Sequence, residues 1–183
     1  FNDDYPWFAL IDVVAGDQVE VLENELARAL ELRLGEDASI AKNGAEANQL
    51  WRLRHSISEA QKFEGASLKH DISVPVGRIA EFLSKGDEVL EAMMPEARLV
   101  AFGHVGDGNL HYNVSQPASW AGDRFQNDAA GLTSAIYALA TELGGSISAE
   151  HGIGTLKKDY FTQFGDPTEI ELMRTIKRAV DPA

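Results

Sequence analysis

The chain has 183 residues, and its 29 acidic side chains outnumber the 16 basic ones, so that the formal net charge is −13 with histidine neutral. This charge argues against nucleic-acid binding, because affinity for a phosphate backbone comes from Lys and Arg that displace counterions. The hydrophobic share of 44% indicates a folded domain with a sizeable core. The sequence has no cysteine, which excludes disulfides and Cys-ligated zinc and leaves His, Asp and Glu as metal ligands.

The first part of the chain has the pattern of one strand followed by two helices. Residues 7–14 are short and apolar, which predicts a strand buried on both faces. Residues 17–34 carry apolar side chains at helical spacing after a potential N-cap at Asp17. A looser segment with a potential short strand at 39–41 follows, and residues 47–63 predict a second amphipathic helix.

From residue 67 onward the pattern is β-α-β-β-α-β, followed by a last helix at 166–180. The predicted elements are strand 67–74, helix 76–93, strands 98–104 and 109–115, helix 124–143 and strand 146–149. This is the ferredoxin-like order. Because the first 45 residues resemble the start of a related unit, we predict an α+β fold of duplicated ferredoxin-like units, with helices packed on one side of an antiparallel sheet.

The segment between the two central strands contains the strongest local motif. Asp107-Gly108 lies between two alternating apolar runs and predicts a two-residue hairpin, since a type I′ turn needs positive φ at both positions. Closing the hairpin there places His104 directly opposite His111, with Cβ atoms about 4.5–5.5 Å apart. Two imidazoles at this separation can share one divalent ion, although two such histidines can also simply pack together.

A second cluster, Glu150-His151, follows the predicted strand 146–149. Together with His104 and His111, Glu150 would form a His₂Glu set with open coordination positions, as in catalytic zinc sites. His151 would then remain available as a base. Adjacent residues on a strand point to opposite faces, so both side chains reach one site if the backbone turns at 150–151, and the glycines that follow favour such a turn.

Cationic and hydroxyl side chains outside these two motifs could bind the carboxylate group of a small ligand. Arg54 and Ser58 are four residues apart on helix 47–63 and can bind a carboxylate together, although an arginine on a polar helix face is more often solvated. Lys69 lies on the polar face of strand 67–74 and offers a second cation. His55 and His70 are interpreted as structural histidines.

These residues resemble a known family. The motifs are Gly-His-x-Gly-Asp-Gly-Asn-x-His at 103–111, Ser-Ala-Glu-His-Gly-Ile-Gly at 148–154, Leu-Arg at 53–54 and Lys-His-Asp at 69–71. Together they resemble the C-terminal cap domain of FAD-linked oxidases of the vanillyl-alcohol-oxidase superfamily. The nearest type is the D-2-hydroxyacid dehydrogenases, which act on D-lactate or D-2-hydroxyglutarate, with the flavin subunit of glycolate oxidase. The resemblance extends over residues 1–183.

The resemblance implies a role for each candidate site residue. It assigns a divalent metal, zinc or manganese, to His104, His111 and Glu150. It makes His151 the general base, and it assigns substrate binding to Asn113, Arg54, Ser58 and Lys69. Ser58 stands where relatives carry threonine, which keeps the hydroxyl. FAD would be held mainly by an N-terminal domain of the same protein that this chain lacks, so we expect the chain alone to be inactive.

The implied function is oxidation of a small D-2-hydroxy acid to a 2-oxo acid, with hydride transfer to the flavin. A metal would lower the pKa of the substrate hydroxyl, and a histidine, whose ordinary pKa is about 6.5, suits removal of that proton. Two other functions remain open at this point: a His₂Glu zinc metallohydrolase, and a small-ligand regulatory module. The electron acceptor is not identified, and a homodimer is one option for assembly.

The sequence also bears on location. It has no apolar stretch near the roughly 20 residues that span a bilayer, and its first residues have neither a start methionine nor the features of a signal peptide. We therefore expect a piece of a longer cytoplasmic protein, with peripheral membrane association, or a mitochondrial location in a eukaryote, as alternatives.

Overall fold

The structure is a computed structural model that describes residues 4–13, 19–120 and 122–182. The chain divides into two compact units, Phe1–Ala60 and Gln61–Ala183. Among the described residues, no helix is long and apolar enough to cross a membrane.

In the first unit, the predicted strand at 7–14 is wrong over residues 7–13, which have no regular structure, and residue 14 lies outside the described residues. Several of its apolar side chains are exposed, including Trp7 and Phe8. An apolar run forms a strand only where another strand pairs with it, and no strand is present in the described part of this unit. The potential strand at 39–41 is irregular as well.

The two helices predicted for the first unit are confirmed. Helix α1 is Val19–Glu31 and helix α2 is Gly44–Ala60, while the predicted cap Asp17 lies outside the described residues. Helix α2 begins with a clear cap, because the Asn43 side chain accepts hydrogen bonds from the amides of Ala45 and Glu46, both at 3.0 Å. The last three residues of the predicted helix 47–63 form a short 3₁₀ turn, Gln61–Phe63, in the second unit.

The second unit is built on a three-stranded antiparallel sheet. Its strands are β1 (Ser67–Ser73), β2 (Arg98–His104) and β3 (Asn109–Ser115), in the order β1-β3-β2. The central strand β3 pairs with β1 on one side and with β2 on the other. All three strands match the predicted ranges to within one residue. Strands β1 and β3 have the alternation of apolar and polar side chains that one buried face requires, whereas β2 is a short apolar run.

Helices α3 (Ile79–Met93) and α4 (Gly122–Glu142) cover the apolar face of this sheet. The fully buried Tyr112 of β3 meets Phe82 of α3 with ring centroids 5.5 Å apart. On the neighbouring strand, His70 contacts Tyr137 of α4. The predicted α+β fold, with an antiparallel sheet and helices on one face, is therefore confirmed. Because side chains alternate, the opposite face of β3 carries the polar residues Asn109, His111, Asn113 and Ser115.

The predicted strand 146–149 is reduced to a single bridge, in which Ser146 pairs with Ser73 at the outer edge of β1. The segment then stays close to β1, since the amide of Ala149 donates to the carbonyl of Asp71 at 3.2 Å. The duplication of a ferredoxin-like unit stays a prediction.

Two further helices end the chain. Helix α5 (Lys158–Phe164) was not predicted, whereas α6 (Pro167–Val180) confirms the predicted last helix. Asp166 caps α6 by accepting from the amides of Thr168 and Glu169 at 2.7 and 3.1 Å.

Candidate active site

The loop between β2 and β3 differs from the predicted two-residue turn. Residues Val105–Asp107 form a 3₁₀ turn, and Gly108 alone provides the left-handed backbone, with φ of 77°. The Asp107 carboxylate accepts from the amide of Asn109 at 3.0 Å, which stabilises a right-handed conformation before the glycine. The connection therefore takes four residues rather than two.

The longer connection changes the register. His104 lies opposite Asn109, and His111 lies opposite Phe102, so the predicted direct pairing of His104 with His111 is wrong. The two histidines still share a face, because the pairing moves by an even number of residues and side-chain direction has a period of two. They are diagonal neighbours at the polar end of the hairpin.

The carboxylate of Glu150 lies between these two imidazoles. One oxygen is 3.4 Å from Nδ1 of His104, and the other is 3.6 Å from Nε2 of His111. Both separations are longer than a good hydrogen bond. They are close to the distance between neighbouring ligands of a tetrahedral zinc ion, which is about 3.3–3.5 Å for metal–ligand bonds of about 2.0–2.2 Å. Imidazole nitrogens and carboxylate oxygens together are donors of the kind that bind a divalent ion such as zinc.

Asp71 on β1 lies at the same place, although the sequence reasoning did not include it among the metal ligands. Within the described residues, Asp71, His111 and Glu150 form one group whose ligand atoms all lie within 4.8 Å of one another. His104 is outside this compact group and approaches from the exposed side of Glu150. Asp71 faces His111 because the two residues are direct partners in the pairing of β1 with β3.

The turn expected at 150–151 is confirmed. The backbone bends there, and Gly152 and Gly154 follow with positive φ of 72° and 53°. Both side chains consequently reach the same place: Glu150 approaches His111, and the ring of His151 lies 5.8 Å from the ring of His111. Nδ1 of His151 is also 3.7 Å from an oxygen of Asp71.

Asp71 is buried and remains ionised. Burial alone would raise the pKa of its carboxyl group, but hydrogen bonds from the amides of His151 and Glu150, together with the charges of His151 and Lys157, hold that pKa below its ordinary value. Lys157 lies 3.7 Å from the carboxylate and donates to the carbonyl of Ile147 at 3.0 Å. Burial lowers the pKa of Lys157, and the charge of Asp71 opposes this change.

A small polar cleft opens beside Glu150. Its volume is about 220 Å³, and it is lined by Ser73, Asp107, Asn109, Ser148, Ala149 and Glu150. Asn109 is buried, and neither polar atom of its side chain has a hydrogen-bond partner within the protein. Such an amide is available to a small polar ligand or to water.

Two of the predicted substrate-binding residues are direct partners on the same polar face of the sheet. Lys69 of β1 lies opposite Asn113 of β3, with Lys69 exposed and Asn113 buried. The Asn113 amide nitrogen donates to the side-chain oxygen of Gln61 at 2.8 Å, while its own oxygen has no partner within the protein. Gln61 thus orients the amide, a contact between residues 52 positions apart that no sequence motif indicated.

Arg54 and Ser58 lie in the other unit, on α2. Arg54 is half-buried and Ser58 is exposed, and no side chain of this helix is fully buried. Their assignment to substrate binding stays a prediction.

These observations define a class of protein. The sequence matches the family described as "FAD linked oxidases, C-terminal domain" over residues 1–183. The chain belongs to this family.

The relatives are more specific. D-2-hydroxyglutarate dehydrogenase of Stutzerimonas stutzeri is 35% identical over 185 residues, an alignment that covers 100% of this chain and 39% of the relative. The mitochondrial D-2-hydroxyglutarate dehydrogenases of Rattus norvegicus and Arabidopsis thaliana are 34% and 33% identical, with 97% and 96% of this chain and 32% and 31% of each relative covered. The chain thus spans less than half of the length of these relatives.

Proposed function

We propose that this chain is the substrate- and metal-binding part of an FAD-dependent dehydrogenase that oxidises a D-2-hydroxy acid to a 2-oxo acid. D-2-hydroxyglutarate is the first substrate to test, because the relatives described above are named for it. The structural observation that carries the proposal is the carboxylate of Glu150 between His104 and His111, with His151 beside it.

In this proposal each side chain has a defined task. His104, His111 and Glu150 hold a divalent ion. When bound, this ion would supply Lewis acidity toward the substrate hydroxyl, and FAD held by the remainder of the protein would supply hydride acceptance. Lys69 and Asn113 bind polar groups of the acid, and Arg54 with Ser58 are assigned to its carboxylate.

His151 accepts the proton of the substrate hydroxyl. The nearby carboxylate of Asp71, 3.7 Å from Nδ1, favours a proton on that nitrogen, so Nε2 is the free acceptor. The ring is well exposed, as a group that must reach a substrate has to be. Since the chain carries a net charge of −13, Lys69 and a bound cation would provide the positive charge that an acidic substrate requires.

The decisive experiment uses the complete gene product that contains this chain. We expect D-2-hydroxyglutarate to reduce its flavin in a stopped-flow measurement, with the L-enantiomer much slower. His151→Ala should slow flavin reduction about 10²- to 10⁴-fold, the range that general bases contribute. His55→Ala, in an exposed histidine of α2, is the matched control and should leave the rate unchanged. Flavin reduction by His151→Ala at the rate of the unaltered protein would contradict the role of His151.

Metal content tests the second part of the proposal. Elemental analysis of the purified protein should find about one divalent ion per chain, and both His111→Ala and Glu150→Gln should remove it. A metal-loaded protein that hydrolyses esters or peptides and leaves flavin oxidised would instead support the metallohydrolase alternative.

A further inference from the structure

Asp71 is a buried carboxylate that accepts hydrogen bonds from the 146–151 segment. Its side chain is only 3% exposed. One oxygen accepts from the amide of His151 at 2.8 Å and from the amide of Glu150 at 3.1 Å. These are the two residues whose side chains the proposed mechanism uses.

The segment that carries these two residues is held on either side of them: Lys157 donates to the carbonyl of Ile147 at 3.0 Å, and the Ser148 hydroxyl donates to the carbonyl of Gly152 at 2.8 Å. Its pairing with β1 is a single bridge at Ser146, followed by the one bond from the amide of Ala149 to the carbonyl of Asp71. Beyond it, Gly152 and Gly154 have open space around them and provide no packing. Between these flanking points, the backbone amides of residues 150 and 151 themselves donate to the Asp71 carboxylate, which therefore orients this part of the backbone.

Asp71 is better suited to this task than to metal binding. A carboxylate oxygen has about two acceptor sites, and both sites of the oxygen nearest His151 are taken by backbone amides. An ion would have to compete with these amides or use the other oxygen, which already lies 3.3 Å from the amide of Glu150.

We propose that Asp71 is the positioning residue of the site: it holds the amides of Glu150 and His151, and thereby presents the metal-binding carboxylate and the base on the same side of the sheet. The effect of Asp71 on catalysis rests on the proposed function. Its hold on the two amides rests on the hydrogen bonds alone. Groups that orient ligands in this way typically change metal affinity or activity about 10- to 100-fold when they are removed.

The first test is independent of activity. Amide hydrogen exchange is measured by NMR in the unaltered protein and in Asp71→Ala, which removes both acceptor oxygens. We expect exchange of the Glu150 and His151 amides to become at least about tenfold faster, while amides of the core strand β3 keep their protection. Unchanged protection of the two amides would overturn the proposal, whether or not the protein is a dehydrogenase.

The second test is a double-mutant cycle in the complete flavoenzyme. Asp71→Ala should lower kcat about 10- to 100-fold with KM changed less than about threefold. Its loss and that of His151→Ala should combine to less than their product in the double variant, because part of the effect of Asp71 passes through His151. Asp71→Glu should recover part of the activity. Asp87→Ala, the same change on the helix-covered side of the sheet, is the control. Losses that multiply in the double variant, or metal loss with both amides still protected, would overturn the positioning role.

Discussion

His70 shows how the protein keeps an imidazole neutral one residue away from the charged Asp71. Its Nδ1 donates to the carbonyl of Tyr112 at 2.7 Å, and its Nε2 accepts from the hydroxyl of Thr133 at 3.1 Å, since a carbonyl can only accept. Burial lowers the pKa of His70 from 6.5 to about 4, against the opposing effect of the bond to Tyr112. The sequence-based interpretation of His70 as a structural histidine is confirmed.

The depressed pKa predicts a loss of stability in acid. Between pH 6.5 and pH 4, the unfolded chain binds a proton at His70 that the folded chain does not bind, so the free energy of unfolding falls as the pH is lowered through this window. The loss from this residue should reach about 2–3 kcal/mol near pH 4.5. Urea unfolding at pH 7.5 and pH 4.5 measures it.

The control for this prediction is a pair of variants. His70→Gln should be less stable at neutral pH and should show a shallower fall toward pH 4.5, whereas His55→Gln on α2 should keep the fall of the unaltered protein. If the free energy of unfolding has the same pH dependence in the unaltered protein and in His70→Gln, His70 has the same pKa in the folded and the unfolded chain, and the prediction is wrong.

The hairpin between β2 and β3 determines which way His104 and His111, the histidines of the proposed metal site, face. Gly108 is required in its loop for two reasons: its φ is positive, and a Cβ atom there would lie 2.0 Å from the carbonyl oxygen of Val74. That close approach places the loop against the end of β1, where the amide of Val74 donates to the carbonyl of Gly108 at 3.0 Å. The β2–β3 loop is thus also hydrogen-bonded to the chain directly after β1.

We therefore expect Gly108→Ala to destabilise the protein by at least about 2 kcal/mol, the sum of left-handed strain and a backbone clash. Gly106→Ala is a matched control in the same loop, because a Cβ at Gly106 meets nothing within 4 Å. It should change stability by less than about 0.5 kcal/mol. Thermal unfolding followed by circular dichroism compares the two variants, and a similar melting temperature for both would contradict the argument.

An element could be predicted where its local sequence determines it, and could not where contacts with distant residues determine it. Strands β1 and β3 have alternating side chains and β2 is a short apolar run, so the bounds of all three can be predicted from the local sequence. The loop could not be resolved, because Asp107-Gly108 suits both a two-residue turn and the last positions of a four-residue one. The strand predicted at 7–14 failed since an apolar run does not reveal whether a partner strand exists. Asp71 was missed as an anchor because its partners are 79 and 80 residues away.

The buried side chains are distributed unevenly between the two units of the chain. Among the described residues, every buried hydrophobic side chain belongs to the unit Gln61–Ala183, from Ile72 to Ile147. None of the described side chains in residues 4–13 and 20–60 is buried. The hydrophobic free energy that stabilises the fold therefore resides in the second unit.

This distribution predicts the behaviour of fragments. A fragment of residues 61–183 should unfold in one cooperative thermal transition, whereas residues 1–60 alone should show helix content without a cooperative transition. Calorimetry of both fragments checks this. A fragment 61–183 that melts without a heat-absorption peak would show that the first unit is needed to complete the core.

The anchoring of residues 150 and 151 by a residue near the start of the sheet also bears on biosynthesis. Asp71 is joined to residues 79, 80 and 86 positions later, and contacts of such long range form late in folding. A nascent chain that ends before residue 150 contains both histidines of the proposed metal site but lacks the carboxylate of Glu150. An ion captured afterwards would act on the whole folding equilibrium, raising the melting temperature with ion concentration. The yield of folded protein in a cell would then depend on the supply of that ion during synthesis.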